Sequence, residues 1–134
     1  MSGENVEMVQ RVYEGWARGD FSVGVHLLDE NVTLVIDDDI PGDGGTYPGI
    51  AGVASYMRSF LAAWETLTIS AENVRSTDNE VWVEVRQRGT GESSGAVVEQ
   101  TYFQVWTFRD ARVVQLQTIL DRDRALEAAS LSEG

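Results

Sequence analysis

The chain has no cysteine, which excludes disulfides, thiolate nucleophiles and sulfur-ligated zinc or iron. It has no lysine either, all ten basic residues being arginine. There is therefore no side-chain amine for a Schiff base and no phosphate-loop lysine. The one histidine, His26, rules out a multi-histidine metal site and leaves any serine triad dependent on this single residue. With no nucleophile motif near it, a structural or surface role is expected for His26. Positive charge is outweighed overall: the formal net charge of -12 repels nucleic-acid phosphates and anionic membranes, so neither is expected as a partner. No apolar run approaches the ~20 residues needed to span a bilayer. The first residues, MSGENVEMVQ, lack a basic region followed by an apolar core, and the expected compartment is the cytoplasm.

What remains suits a globular fold of ordinary size, and residues 1–134 are expected to form a single domain. A first helix is expected from a Ser2 cap to about Arg18, because Val6, Val9, Val12, Tyr13, Trp16 and Ala17 fall on one arc of a helical wheel. Gly19 ends it, and a short second helix follows over Phe21 to Leu28. Val32 to Ile36 reads as a strand. Residues 37–52 hold five glycines and both prolines and read as a long loop, of the kind that walls or covers a pocket. Val53, Met57, Phe60, Leu61 and Trp64 recur at helical spacing. Strands follow at Leu67 to Ala71 and Glu80 to Arg88, separated by an Asp78-Asn79 turn. A last short helix begins near Asp121, which serves as its N-cap.

The stretch from Ala96 to Leu120 organises the rest. Two long β-type runs flank Arg109, Asp110, Ala111 and Arg112, which makes an antiparallel hairpin. In its first run Val98, Gln100, Tyr102, Gln104, Trp106 and Phe108 share one face, and Val97, Glu99, Thr101, Phe103, Val105 and Thr107 share the other. Neither face is plainly polar, so the sheet is expected to be covered twice, by helices around a pocket on one side and by a second subunit on the other. Because alanine resists positive φ, the Asp110-Ala111 connection is expected to be looser than a tight turn. The element order is α-α-β-α-β-β-β-β-α. This predicts an α+β domain in which a strongly curved antiparallel sheet wraps the N-terminal helices.

Several apparent motifs fail on inspection. Asp37, Asp38 and Asp39 with Gly42 imitate a calcium loop, but Pro41 and Pro48 stand where ligands belong, and no metal site is expected. GDGGTYPG has neither the GK[ST] ending of a phosphate loop nor GxGxxG spacing. Other positions survive. Three adjacent carboxylates repel one another, so an enclosed one acquires a raised pKa and can act as acid or base. Tyr13 lies within the apolar arc of its helix, and Gln104 lies between Tyr102 and Trp106; both need hydrogen-bond partners from protein, water or ligand. Trp16, Trp64 and Trp106 supply apolar walls suited to a ring system.

The segments Ala17-Arg18-Gly19-Asp20-Phe21 and His26-Leu27-Leu28-Asp29-Glu30-Asn31-Val32 resemble the SnoaL-like branch of the nuclear transport factor 2-like superfamily. So do Thr46-Tyr47-Pro48-Gly49-Ile50-Ala51-Gly52-Val53, Glu99-Gln100-Thr101-Tyr102-Phe103-Gln104-Val105-Trp106-Thr107-Phe108-Arg109-Asp110 and Leu120-Asp121-Arg122. The resemblance spans nearly the whole chain. It implies a cone-shaped α+β barrel that pairs through its outer sheet face, in a group including ketosteroid isomerases and polyketide cyclases. The family's base falls at about Ile36, beside Asp37 and Asp38. Its helix-one tyrosine falls near Val12, beside Tyr13; its oxyanion aspartate falls at Gln104, and its cyclase-type aspartate near Thr118. The expected function is cofactor-free acid-base isomerisation, cyclisation or dehydration of an apolar carbonyl compound. Asp37 or Asp38 would serve as base, with Tyr13 and Gln104 stabilising the oxyanion. The expected pocket wall is Trp16, Tyr56, Phe60, Trp64, Tyr102, Trp106, Leu116 and Thr118. The alternative is a non-catalytic ligand-binding or dimeric scaffold protein. The expected partners are an apolar small molecule and a second copy of the chain.

Overall fold

A computed structural model describes residues 2–40 and 44–131; Pro41, Gly42 and Asp43, in the middle of the expected loop, and the side chain of Ser2 lie outside what it describes. Helix α1 spans Ser2–Ala17 and buries Val9, Val12, Tyr13 and Trp16, the arc that helical periodicity selects. The expected second helix is reduced to a single 3-10 turn at Val25–Leu27. Gly24 is the reason. Its φ of 98° is left-handed, which interrupts a right-handed helix, and a Cβ there would meet Val12 Cγ2 at 2.7 Å. The segment thus folds closely over α1 instead of continuing as a helix.

Strand β1 covers Leu28–Ile36. The expected loop over residues 37–52 is only partly a loop: Gly45–Pro48 form a short strand β2, antiparallel to β1, and Gly49 opens helix α2, which runs to Ala62. Glycine and proline content hid β2 and the first turn of α2, although β2 is an edge strand, where proline is tolerated. Strands β3 (Trp64–Ser76), β4 (Glu80–Gly91), β5 (Val97–Arg109) and β6 (Arg112–Ile119) then form a meander, and helix α3 covers Arg122–Ala128. The six strands lie in the order β2-β1-β6-β5-β4-β3. The sheet is mixed, since β1 runs parallel to β6 while every other neighbouring pair is antiparallel. Register shifts in β3 and between Thr107 and Phe108 mark where bulges bend the sheet around the helices. No helix among the described residues is long and apolar enough to cross a membrane.

The period-two alternation of β5 separates two cores. Tyr102, Trp106 and Phe108 pack inward with α1 and the valines of β4. Phe103 and Val105 pack outward with Trp82 and Ile119 against Ala125, Leu126 and Ala129 of the last helix and its end. This corrects the expectation that Phe103 and Val105 meet a second subunit: the chain's own α3 covers them. The outer surface left open is the polar half, where Arg86 pairs with Glu99 and Thr101 is exposed.

The hairpin turn also departs from expectation. Asp110 and Ala111 hold φ of 53° and 64° between the paired Arg109 and Arg112, which is a tight two-residue connection with both central residues left-handed. Left-handed backbone costs an L-residue roughly 1–2 kcal/mol, against the 0.5–1 kcal/mol that glycine loses through its extra freedom when unfolded. Ala111→Gly is therefore expected to stabilise the fold by about 0.5–1 kcal/mol. Urea denaturation checks this, and a variant no more stable than the parent would mean that the turn carries no strain.

Candidate functional site

Between α1, the 3-10 segment, α2 and the inner face of the sheet lies a cavity of about 210 Å³, larger than the ~150 Å³ that suffices to hold benzene. Each element contributes through its inward periodicity. Helix α1 presents Val12 and Trp16; α2 presents Val53, Tyr56, Met57 and Phe60; β6 presents Leu116 and Thr118. On β5 the lining residues are Gln100, Tyr102, Gln104 and Trp106, the alternate positions of one strand face. Of the residues expected in the wall, Trp64 alone is placed elsewhere. Its ring lies over Gly89, where a Cβ would meet Trp64 Cε3 at 2.6 Å, and it lines a neighbouring groove instead. That groove carries an aromatic row, with Tyr47 against Tyr56, Tyr56 stacked on Phe60, and Phe60 edge-on to Trp64. Groove and cavity share Ile40, Tyr56, Phe60, Gln87 and Gln100.

Tyr13 and Gln104 meet, but they meet each other. The Trp106 Nε1 hydrogen is donated to the Tyr13 hydroxyl at 2.9 Å, and that hydroxyl donates to Gln104 Oε1. Gln104 Nε2 donates in turn to Thr118 Oγ1 at 3.1 Å; the two residues are register partners across β5 and β6. Tyr13 is itself 2% exposed and stands behind the cavity wall, edge-on to Trp16 and Trp106. Burial pushes its pKa well above the ordinary value, despite the opposing hydrogen bond from Trp106. Tyr102 is raised likewise by burial, so both phenols stay protonated near neutral pH. Every polar side-chain atom in the chain from Trp106 to Gln104 has a protein partner, and Thr118, which accepts from Gln104, lines the cavity.

The aspartates are not in the cavity wall. Asp37 Oδ2 accepts from the Leu120 amide at 3.2 Å and from the Arg124 guanidinium, while Oδ1 accepts from the Asp39 amide at 3.2 Å. Its side chain is only 8% exposed. Burial would raise its pKa, but the two amides and Arg124 together outweigh burial and hold it below the ordinary carboxylate range. Arg124 also reaches Asp39 at 2.9 Å, and Asp38 is exposed. This corrects the expected catalytic arrangement: Asp37 is a bound carboxylate at the foot of α3, whose first turn is capped by Asp121 accepting from the Arg124 amide at 2.9 Å. Among the described residues, none that lines the cavity is an aspartate, glutamate, histidine or arginine. None of them forms a group of three histidine, aspartate or glutamate side chains able to hold a metal ion.

Gln87 is the residue that sequence reasoning missed. It is 1% exposed and lines both cavity and groove. Its Oε1 accepts from the Tyr102 hydroxyl at 2.9 Å, but its Nε2 is buried with no hydrogen-bond partner, as is Trp16 Nε1. An orphaned buried donor costs about 1–3 kcal/mol. The signal was present in strand parity, since Val81, Val83 and Val85 point inward and the next residue in that series is an amide, not a valine.

A six-stranded mixed sheet curved around helices, with an apolar cavity inside the cone, defines an α+β fold. The sequence pattern of the SnoaL-like domain matches residues 9–116, and the chain belongs to that family. Solved structures share the fold. An NTF2-like protein of unknown function from Burkholderia pseudomallei is 20% identical, with 94% of this chain and 97% of that one covered and a TM-score of 0.76. TerC, co-crystallised with polyporic acid, is 19% identical over 93% and 96% of the two chains with a TM-score of 0.75. A protein with a ketosteroid isomerase-like fold from Catenulispora acidiphila, in complex with trimethylamine, is 14% identical over 94% of each chain with a TM-score of 0.72. No curated protein matches the chain.

Two measurements probe this geometry. Tyr13→Phe leaves Gln104 Oε1 and Trp106 Nε1 buried without partners and is expected to destabilise by about 1–3 kcal/mol in urea; a neutral result would break the hydrogen-bond chain. Asp37 has a lower pKa folded than unfolded, so the stability it contributes is complete above the unfolded value and is lost as pH falls through the folded one. The urea midpoint is accordingly expected to drop below about pH 4. That drop should be shallower in Asp37→Asn, and equal slopes in the two proteins would show that Asp37 is not held.

Proposed function

We propose that this chain binds an apolar, ring-containing small molecule inside the cone and holds it by shape and by neutral hydrogen bonds. Among the described residues, no aspartate, glutamate, histidine or arginine lines the cavity. The observation that carries this reading is the composition of the wall: aliphatic and aromatic side chains, with amides and hydroxyls as the polar groups. A carbonyl substrate in such a site meets donors but, among the described residues, no proton acceptor of suitable strength, since proton abstraction needs a base within hydrogen-bond reach. TerC, which shares the fold, was co-crystallised with polyporic acid, and this supports a small-molecule reading. Acid-base catalysis by Asp37 would require the carboxylate to leave Arg124 and two backbone amides.

Fluorene, a flat apolar tricycle, probes the pocket, with tryptophan fluorescence as readout because Trp16 and Trp106 line it. Saturable one-to-one binding is expected, and its loss in Leu116→Trp, which fills the cavity. Exchange of the α-hydrogens of 2-tetralone in deuterated buffer is expected to be no faster with protein than without. Failure of fluorene to bind would sink the pocket reading. Exchange accelerated by the protein and abolished by Asp37→Asn would restore the aspartate as a base.

A further inference from the structure

We propose that Gln87 is the polar anchor of the ligand, its Nε2 donating to an uncharged oxygen acceptor such as a ketone or quinone carbonyl. The inference rests on the pocket reading above and specifies what the pocket selects. Three observations converge on this side chain. Its amide is held from one end only, because the Tyr102 hydroxyl fixes Oε1 at 2.9 Å and leaves Nε2 buried and unpartnered. Gln104, by contrast, has both its Oε1 and its Nε2 hydrogen-bonded within the chain. Gln87 also belongs to the wall of both the cavity and the groove along α2, so a ligand running from one into the other passes it.

The chemistry of the acceptor follows from its surroundings. The free group is a donor, so the ligand must present an acceptor. No cationic side chain among the described residues lines cavity or groove, and an anion buried there would lack a counter-charge. An uncharged carbonyl oxygen satisfies the amide without that penalty. The flanking row of Tyr56, Phe60 and Trp64 favours a ligand that is flat and long enough to extend from the cavity along the groove.

The test compares 9-fluorenone with fluorene, ring systems that differ by the carbonyl. The parent protein is expected to bind fluorenone about tenfold more tightly, the value of one neutral hydrogen bond to an otherwise unsatisfied donor. The double variant Gln87→Met with Tyr102→Phe removes both partners of an internal hydrogen bond, a change that leaves stability nearly unaltered. It is expected to lose the preference, the ratio of fluorenone to fluorene affinity falling to about one. Equal affinities in the parent protein, or a preference that survives in the double variant, would overturn Gln87 as anchor while leaving the pocket intact. Failure of both ring systems to bind the parent protein would overturn the pocket reading and this inference with it. Circular dichroism confirms that the double variant is folded, and if it is not, Gln87→Leu is compared by the same ratio.

Discussion

Gln104 stands in the middle of β5, inside an apolar cone, where an amide with an unbonded end would cost more than most single contacts supply. Its two ends are held from opposite directions, by the Tyr13 hydroxyl on α1 and by Thr118 on β6. That requirement ties the first helix to the centre of the sheet. It also sets the orientation of the walls, because Trp106 is bonded to the same hydroxyl and Trp16 packs edge-on against Tyr13. Once these bonds are formed, the residues that looked most like an oxyanion hole have their polar atoms committed to one another.

The outer face of β5 has an equally direct consequence for the site. Phe103 and Val105 need cover, and α3 provides it through Ala125, Leu126 and Ala129. Docking that helix brings Arg124 to the end of β1, where Asp37 emerges, and the Leu120 amide completes the grip. A packing event on one side of the sheet thus removes a carboxylate from consideration on the other. The same arrangement closes over surface that a partner subunit was expected to cover.

Gln87 is where the structure is locally least satisfied. Buried donors without partners are uncommon in native proteins, and departures from polar satisfaction concentrate at functional sites. Here the unsatisfied atom belongs to a residue that lines both cavity and groove, beside a tyrosine whose hydroxyl holds the amide in place.

Much of this could be read from the chain alone, for a physical reason. The arc of α1, the alternation in β5 and the Asp121 cap depend on contacts or periods local in sequence, so helix, hairpin and inward face were legible before any fold was known. Elements built on glycine and proline were not: β2 and the start of α2 lie where propensity argues for a loop, and tertiary packing prevailed. The candidate site divided in the same way. Strand parity places Gln104, Trp106 and Thr118 inward whatever the fold. Whether Asp37 faces a ligand or Arg124 depends on residues 87 positions apart in sequence, and whether Tyr13 is free depends on a partner 91 positions away. The sequence by itself determined the apolar, amide-bearing inner face and the family of the fold. Only the tertiary structure decided which polar atoms are already bonded, because a hydrogen bond between distant residues has no periodicity to announce it.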